Sequence, residues 1–125
     1  RVERRRTDRV MKKLLTILCL VLLVSCSNQV HSDKLVERDG ITYEVNSTTP
    51  FTGSSVSYYE GAHPEYRGNY KNGKKDGLME WFHENGQLSV RENYKDGKYD
   101  GLWEYFDDDG NLTKTENYKD GVLQE

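Results

Sequence analysis

The chain reads as an all-β protein: a single elongated antiparallel meander sheet made of tandem 24-residue β-hairpin repeats. Three observations carry this expectation. Residues 70–93 and 94–117 are identical at 13 of 24 aligned positions, and self-similarity at a short fixed period marks a repeat architecture. Each copy holds an aromatic-rich run, Leu78-Met79-Glu80-Trp81-Phe82 and Leu102-Trp103-Glu104-Tyr105-Phe106, and aromatic residues bounded by turn residues favour strands. Glycines recur at matching places: Gly53, Gly77 and Gly101; Gly73, Gly97 and Gly121; Gly86 and Gly110. No stretch after residue 25 sustains a helical period.

Taken in order, residues 1–10 are strongly basic and do not begin with methionine, so they stand outside the fold argument. Met11, Lys12 and Lys13 then precede a run of 11 residues, 14–24, apolar but for Thr16, whereas a helix needs about 20 to cross a bilayer. A basic start, a short apolar middle and a small residue before a cut are the parts of a secretory signal peptide. Leu23-Val24-Ser25-Cys26 resembles the bacterial lipobox, which implies cleavage before Cys26 and a lipid on its sulphur. Residues 1–25 are then removed, and residues 26–34 form the acylated cysteine and a polar tether. Several acyl chains on one residue give stable anchoring where a single chain would not. Ser27 is not the aspartate associated with inner-membrane retention, so in a two-membrane envelope the resemblance favours the outer membrane.

Residues 1–25 hold seven of the 18 basic and two of the 21 acidic side chains, leaving 11 against 19 and a formal charge of −8. Such a surface repels phosphate backbones and anionic lipid heads, so no nucleic-acid partner is expected and a cationic one is favoured. Cys19 lies in the removed segment and Cys26 is acylated, leaving no thiol for a disulfide or a metal site.

The remaining domain, residues 35–125, divides into a divergent cap (35–69), two repeats (70–93 and 94–117) and a partial third copy (118–125). Asp39-Gly40 predicts a first hairpin between residues 35–38 and 41–45. Asn72-Gly73 and Asp96-Gly97 predict tight turns between units, and Asn85-Gly86 and Asp109-Gly110 within them, because glycine accepts positive φ without a Cβ clash. In the cap, Gly61 comes one position earlier than its counterparts Gly86 and Gly110, which predicts an irregular unit of the kind found at the ends of arrays.

The runs GKKDGLMEWFHENGQL and GKYDGLWEYFDDDGNL resemble the bacterial MORN-type variant repeat (MORN_2). The segment from Gly40 through Pro50-Phe51-Thr52-Gly53 onward resembles the YwqK family of antitoxin-like proteins. The resemblance implies a β-hairpin repeat sheet, and beyond that a scaffold or contact module; the antitoxin label implies a toxin as the protein partner. Export would place such a toxin in the envelope, as for an immunity protein. Membrane roles proposed for MORN-type repeats imply a third reading, binding of a membrane surface through the sheet itself, against which the charge of −8 argues.

Counting by twos puts Leu78, Phe82, Leu88, Val90 and Tyr94, with Leu102, Phe106, Leu112 and Tyr118, on the better-buried face. Met79, Trp81, Trp103 and Tyr105 then fall on the opposite face and become the candidate partner-binding stripe, since a single-layer sheet cannot cover both faces and Trp and Tyr dominate contact hot spots. The plainer account is that these rings only stack on one another. On the binding account Trp103→Ala weakens capture without unfolding the domain. The last strand, near Val122-Leu123, offers an edge to which a partner strand could add.

Catalytic residues, cofactors and metals are not expected. His31, His63 and His83 have no recurring nucleophile or carboxylate partner, the glycines follow the turns rather than a phosphate-binding motif, and nothing predicts an apolar pocket around a carboxyl pair. Asp107-Asp108-Asp109-Gly110 fails the calcium-loop pattern, because aligning Gly110 with the sixth position puts Tyr105 at the first.

Overall fold

The computed structural model describes residues 28–125. Cys26 and the segment expected to be a signal peptide lie outside them. Nine strands form the main sheet: β1 (Gln29–His31), β4 (Gly53–Tyr58), β5 (Pro64–Lys71), β6 (Lys74–Phe82), β7 (Leu88–Lys95), β8 (Lys98–Tyr99), β9 (Gly101–Phe106), β10 (Leu112–Lys119) and β11 (Val122–Leu123). From β4 onward neighbours in sequence are neighbours in the sheet and antiparallel, with β8 and β9 both on β7. This is the expected all-β meander of hairpin repeats.

Two departures occur at its start. Residues 29–34, expected to be tether, form β1 and a 3-10 turn (Ser32–Lys34). Strand β1 pairs with β4 in parallel, so the sheet is mixed. The predicted first hairpin is present as β2 (Leu35–Arg38) and β3 (Ile41–Glu44), but it makes a separate two-stranded sheet. It is tied to the repeats by Thr42 N–H donating to Gly73 O at 2.8 Å.

The 24-residue period is written in the backbone bonds. Gly73 N–H donates to Phe51 O at 2.7 Å, Gly97 to Lys75 O at 2.8 Å and Gly121 to Tyr99 O at 2.8 Å. Each of these glycines follows a residue of positive φ, Asn72, Asp96 or Asp120 (φ 50°, 47° and 48°). Two consecutive positive φ values make the two-residue turn whose twist matches the strands it joins, and Asp39-Gly40 has the same form.

The turns inside the units are longer than their Asn-Gly and Asp-Gly steps predict. His83 N–H reaches Gln87 O and Asp107 N–H reaches Asn111 O, while only Gly86 and Gly110 take positive φ. Gly53, Gly77 and Gly101, read as turn glycines, lie in strands.

The cap turn keeps the closing bond of the later turns but not their backbone, because Gly61 (φ 108°) and Ala62 (φ 81°) both take positive φ where the later turns have one such residue. Tyr59 N–H donates to His63 O at 2.9 Å, matching the bond across each later turn, so the counterpart of Gly86 is Ala62 and not Gly61. Ala62 takes φ 81°, where an L side chain costs about 1–2 kcal/mol. Ala62→Gly relieves that strain but frees the unfolded chain by about 0.4–1 kcal/mol. The net expectation is a gain of about 0.5–1 kcal/mol, read as a higher melting temperature.

Side chains repeat the same period. Tyr59 Oη donates to Phe82 O at 2.9 Å, and one repeat on His83 Nε2 bonds Phe106 O at 3.0 Å. Asn69 Nδ2 donates to Leu78 O and Asn93 Nδ2 to Leu102 O. Such bonds hold each hairpin to the next, which is what a single layer needs in place of a second sheet.

Candidate functional site

Register assigns the two faces. Gly77 is opposite Tyr94, Met79 opposite Glu92 and Trp81 opposite Val90. Gly101 is opposite Tyr118, Trp103 opposite Glu116 and Tyr105 opposite Lys114, while Tyr66 is opposite Trp81 and Gly68 opposite Met79. Directly paired residues point the same way, so all of these share one face.

The predicted division of faces is therefore corrected. Tyr94, Tyr118 and Val90 sit with Met79, Trp81, Trp103 and Tyr105, while Leu78, Leu102 and Glu104 lie behind. The cause is a register shift in each hairpin. Phe82 is opposite Leu88 whereas the adjacent Trp81 is opposite Val90, leaving Ser89 as an extra residue. Thr113 is the extra residue in the second copy, between the pairs Phe106–Leu112 and Tyr105–Lys114. An extra residue in one strand reverses the alternation beyond it.

This face carries the core. Met79 is fully buried, Tyr66, Tyr94 and Trp103 nearly so, and Tyr70, Tyr105 and Tyr118 pack against them. Trp103 has ring contacts with Tyr94, Tyr99 and Tyr118 at 5.6, 4.3 and 5.1 Å between centroids, and its Nε1–H donates to Asn93 O at 3.2 Å. Met79 and Trp103 thus belong to packing. Of the four predicted stripe residues, Trp81 is the most accessible, 39% exposed with its ring 4.6 Å from that of Tyr66; Tyr105 is half-buried.

Two glutamates cross this aromatic face, and sequence reasoning passed over both. Glu116 accepts from Tyr105 Oη at 3.0 Å and Tyr118 Oη at 3.1 Å, and Lys114 Nζ lies 2.6 Å from its other oxygen. The same Nζ stands 5.3 Å from the centre of the Tyr105 ring. Glu92 lies one period earlier, where Trp81 replaces Tyr105 and Val90 replaces Lys114. It accepts from Trp81 Nε1–H at 3.4 Å. Glu residues at a 24-residue spacing were the available sequence signal, obscured because the first unit has Gly68 there.

Charges on this face move accordingly. The Lys114 bond, then the Tyr105 bond, hold the Glu116 carboxyl below its ordinary range. Burial, then the bond to Glu116, pushes the Tyr105 phenol up to about 12. Burial, then the nearby Glu92 charge, raises that of Tyr94. A carboxyl lowered by folding stabilises above its unfolded value and loses that contribution as pH falls through its folded one. Acid denaturation followed by tryptophan fluorescence should therefore show wild type losing stability, relative to Glu116→Gln, as pH falls below about 4.5.

Beside the core, the β2–β3 hairpin overhangs the face and leaves an open cleft of about 460 Å³, with Glu37, Lys74, Lys75, Tyr70, Tyr94 and Tyr99 among its lining. Elsewhere Asp107, Asp108 and Asp109 bring carboxylate oxygens within 4.8 Å of one another. Asp107 spends its oxygens on its own turn, accepting from Asn111 N–H at 2.8 Å, Asn111 Nδ2 at 3.2 Å and Asp109 N–H at 3.1 Å.

A row of hairpins stapled at a fixed period, with aromatics and spaced carboxylates on one face, defines a β-repeat sheet suited to surface contact. Residues 75–96 and 99–120 each match the family described as MORN repeat variant. Comparisons with curated proteins and with solved structures give no match.

Proposed function

We propose that this chain is a lipid-anchored envelope protein whose repeat sheet is a non-catalytic protein-binding module. The observation that carries the binding reading is Trp81, a large ring left 39% exposed beside the buried Tyr66 and the half-buried Tyr105. An accessible tryptophan beside a packed aromatic bed is the composition of a contact hot spot. The lipobox-like Leu23-Val24-Ser25-Cys26 supports anchoring through Cys26, with the outer membrane favoured where there are two.

The experiment is mild crosslinking of the native protein in cells, followed by mass spectrometry. Trp81→Ala is expected to reduce partner recovery at least about tenfold while costing the fold about 2–3 kcal/mol, less than the loss of a fully buried tryptophan. Unchanged recovery removes the reading. Cys26→Ser is expected to leave the leader attached and the lipid absent, read from the intact mass.

The YwqK resemblance supports a narrower version, in which the captured partner is a toxin met in the envelope. That version requires a neighbouring coding sequence for a toxic product and loss of viability on deletion of this chain.

A further inference from the structure

The two repeats present the same carboxylate-and-ring arrangement, filled in one and open in the other. In the second, the Lys114 ammonium bridges Glu116, at 2.6 Å, and the Tyr105 ring, at 5.3 Å. In the first, Glu92 and the Trp81 ring occupy the equivalent positions, but Val90 stands where the lysine would be. No Lys, Arg or His nitrogen among the described residues pairs with Glu92. Lys75, also on this face, is directed at the Tyr94 ring, 5.0 Å away. The polar neighbours of Glu92 are uncharged: Trp81 Nε1–H donates to it in a long bond of 3.4 Å, and the Tyr94 hydroxyl lies beside it.

We infer that Glu92 and the Trp81 ring form a receiving slot for a lysine ammonium of the partner protein, reproducing between molecules the contact that Lys114 makes within this one. The inference rests on the binding-module reading and deepens it by giving the partner's chemistry. A cation over an aromatic face gains from the ring quadrupole, most of all over tryptophan, and a carboxylate beside the ring adds a charge-assisted hydrogen bond. Short contact to the glutamate needs an N–H, so the slot suits a primary ammonium rather than a quaternary one. A formal charge of −8 after residue 25 draws such a partner in.

The test uses the full chain in a maltoside detergent, which carries no ammonium, and follows the two indole N–H resonances by NMR. On titration with n-butylammonium the Trp81 indole is expected to shift. The Trp103 indole, 6% exposed and bonded to Asn93 O, is expected to stay and to report an intact fold in every variant. Glu92→Gln should weaken binding about tenfold or more, and Val90→Lys should do the same by filling the slot from within. Tetramethylammonium, which has no N–H, should bind about tenfold more weakly.

Absence of a Trp81 response, or unchanged binding in a folded Val90→Lys variant, overturns the slot. Tetramethylammonium binding as tightly as butylammonium overturns the lysine assignment in favour of a choline-type head group. Partner capture that survives Val90→Lys in cells also removes the slot while leaving the binding module standing, whereas capture lost in Trp81→Ala alone speaks to the module.

Discussion

Trp103→Ala is expected to destabilise the domain by about 3–5 kcal/mol, a large share of the roughly 5–15 kcal/mol that holds a domain folded. The ring is 6% exposed and is held by three tyrosines from three places in the chain: Tyr94 on β7, Tyr99 on β8 and Tyr118 on β10. Removing it opens a cavity that the neighbours cannot close, because their own hydroxyls and rings are engaged elsewhere: Tyr118 Oη, for instance, donates to Glu116. Asn93 O also loses the indole N–H as a partner. The sequence-based expectation for this substitution, weakened capture in an intact fold, passes instead to Trp81. Urea denaturation followed by far-ultraviolet dichroism measures the difference, and a loss below about 1 kcal/mol would show that the ring is not part of the packing.

The second large effect is counterintuitive. Gly68→Glu brings the cap closer to the repeat pattern, since Glu92 and Glu116 follow at successive 24-residue steps. It is nevertheless expected to cost about 3 kcal/mol or more. A Cβ on residue 68 would meet the Tyr66 hydroxyl oxygen at 1.9 Å and Met79 Sδ at 2.6 Å. Tyr66 and Met79 fill in this unit the space that a carboxylate occupies in the others, and Tyr66 Oη bonds Tyr70 Oη at 3.1 Å and contacts Met79 Sδ at 3.4 Å. A glutamate there must displace a buried ring or bury its charge against sulphur. Gly68→Ala, which adds only the Cβ, should cost about 1–3 kcal/mol, and thermal melts of the pair separate the steric from the electrostatic part.

Much of the fold was legible because the turn chemistry is local. Asn72-Gly73, Asp96-Gly97 and Asp39-Gly40 identify two-residue turns from their own φ requirements, and the aromatic runs between them have strand composition. The assignment of faces was not legible, since it hangs on Ser89 and Thr113, single extra residues that no local preference distinguishes from their neighbours. That one-residue slip moved Tyr94 and Tyr118 to the wrong side and made Met79 and Trp103 look like surface residues. In the cap, Gly61 misled because alanine at position 62 holds a conformation that sequence preference gives to glycine. The pairing of β1 with β4 depends on a contact between residues 25 apart, Gln29 and Ser54, for which the polar segment gives no periodic signal.

The glycine-to-carbonyl ladder has a consequence for how the molecule could change in size. Gly73, Gly97 and Gly121 each bond a residue 22 positions upstream with the same geometry, so a unit needs only its neighbours to be seated and has no distant reference point. An in-frame duplication of residues 70–93 would find both its docking bonds ready-made and would lengthen the sheet by two strands, about 10 Å. Length then becomes a quantity adjustable in equal steps, like the divisions on a ruler, without redrawing any single hairpin.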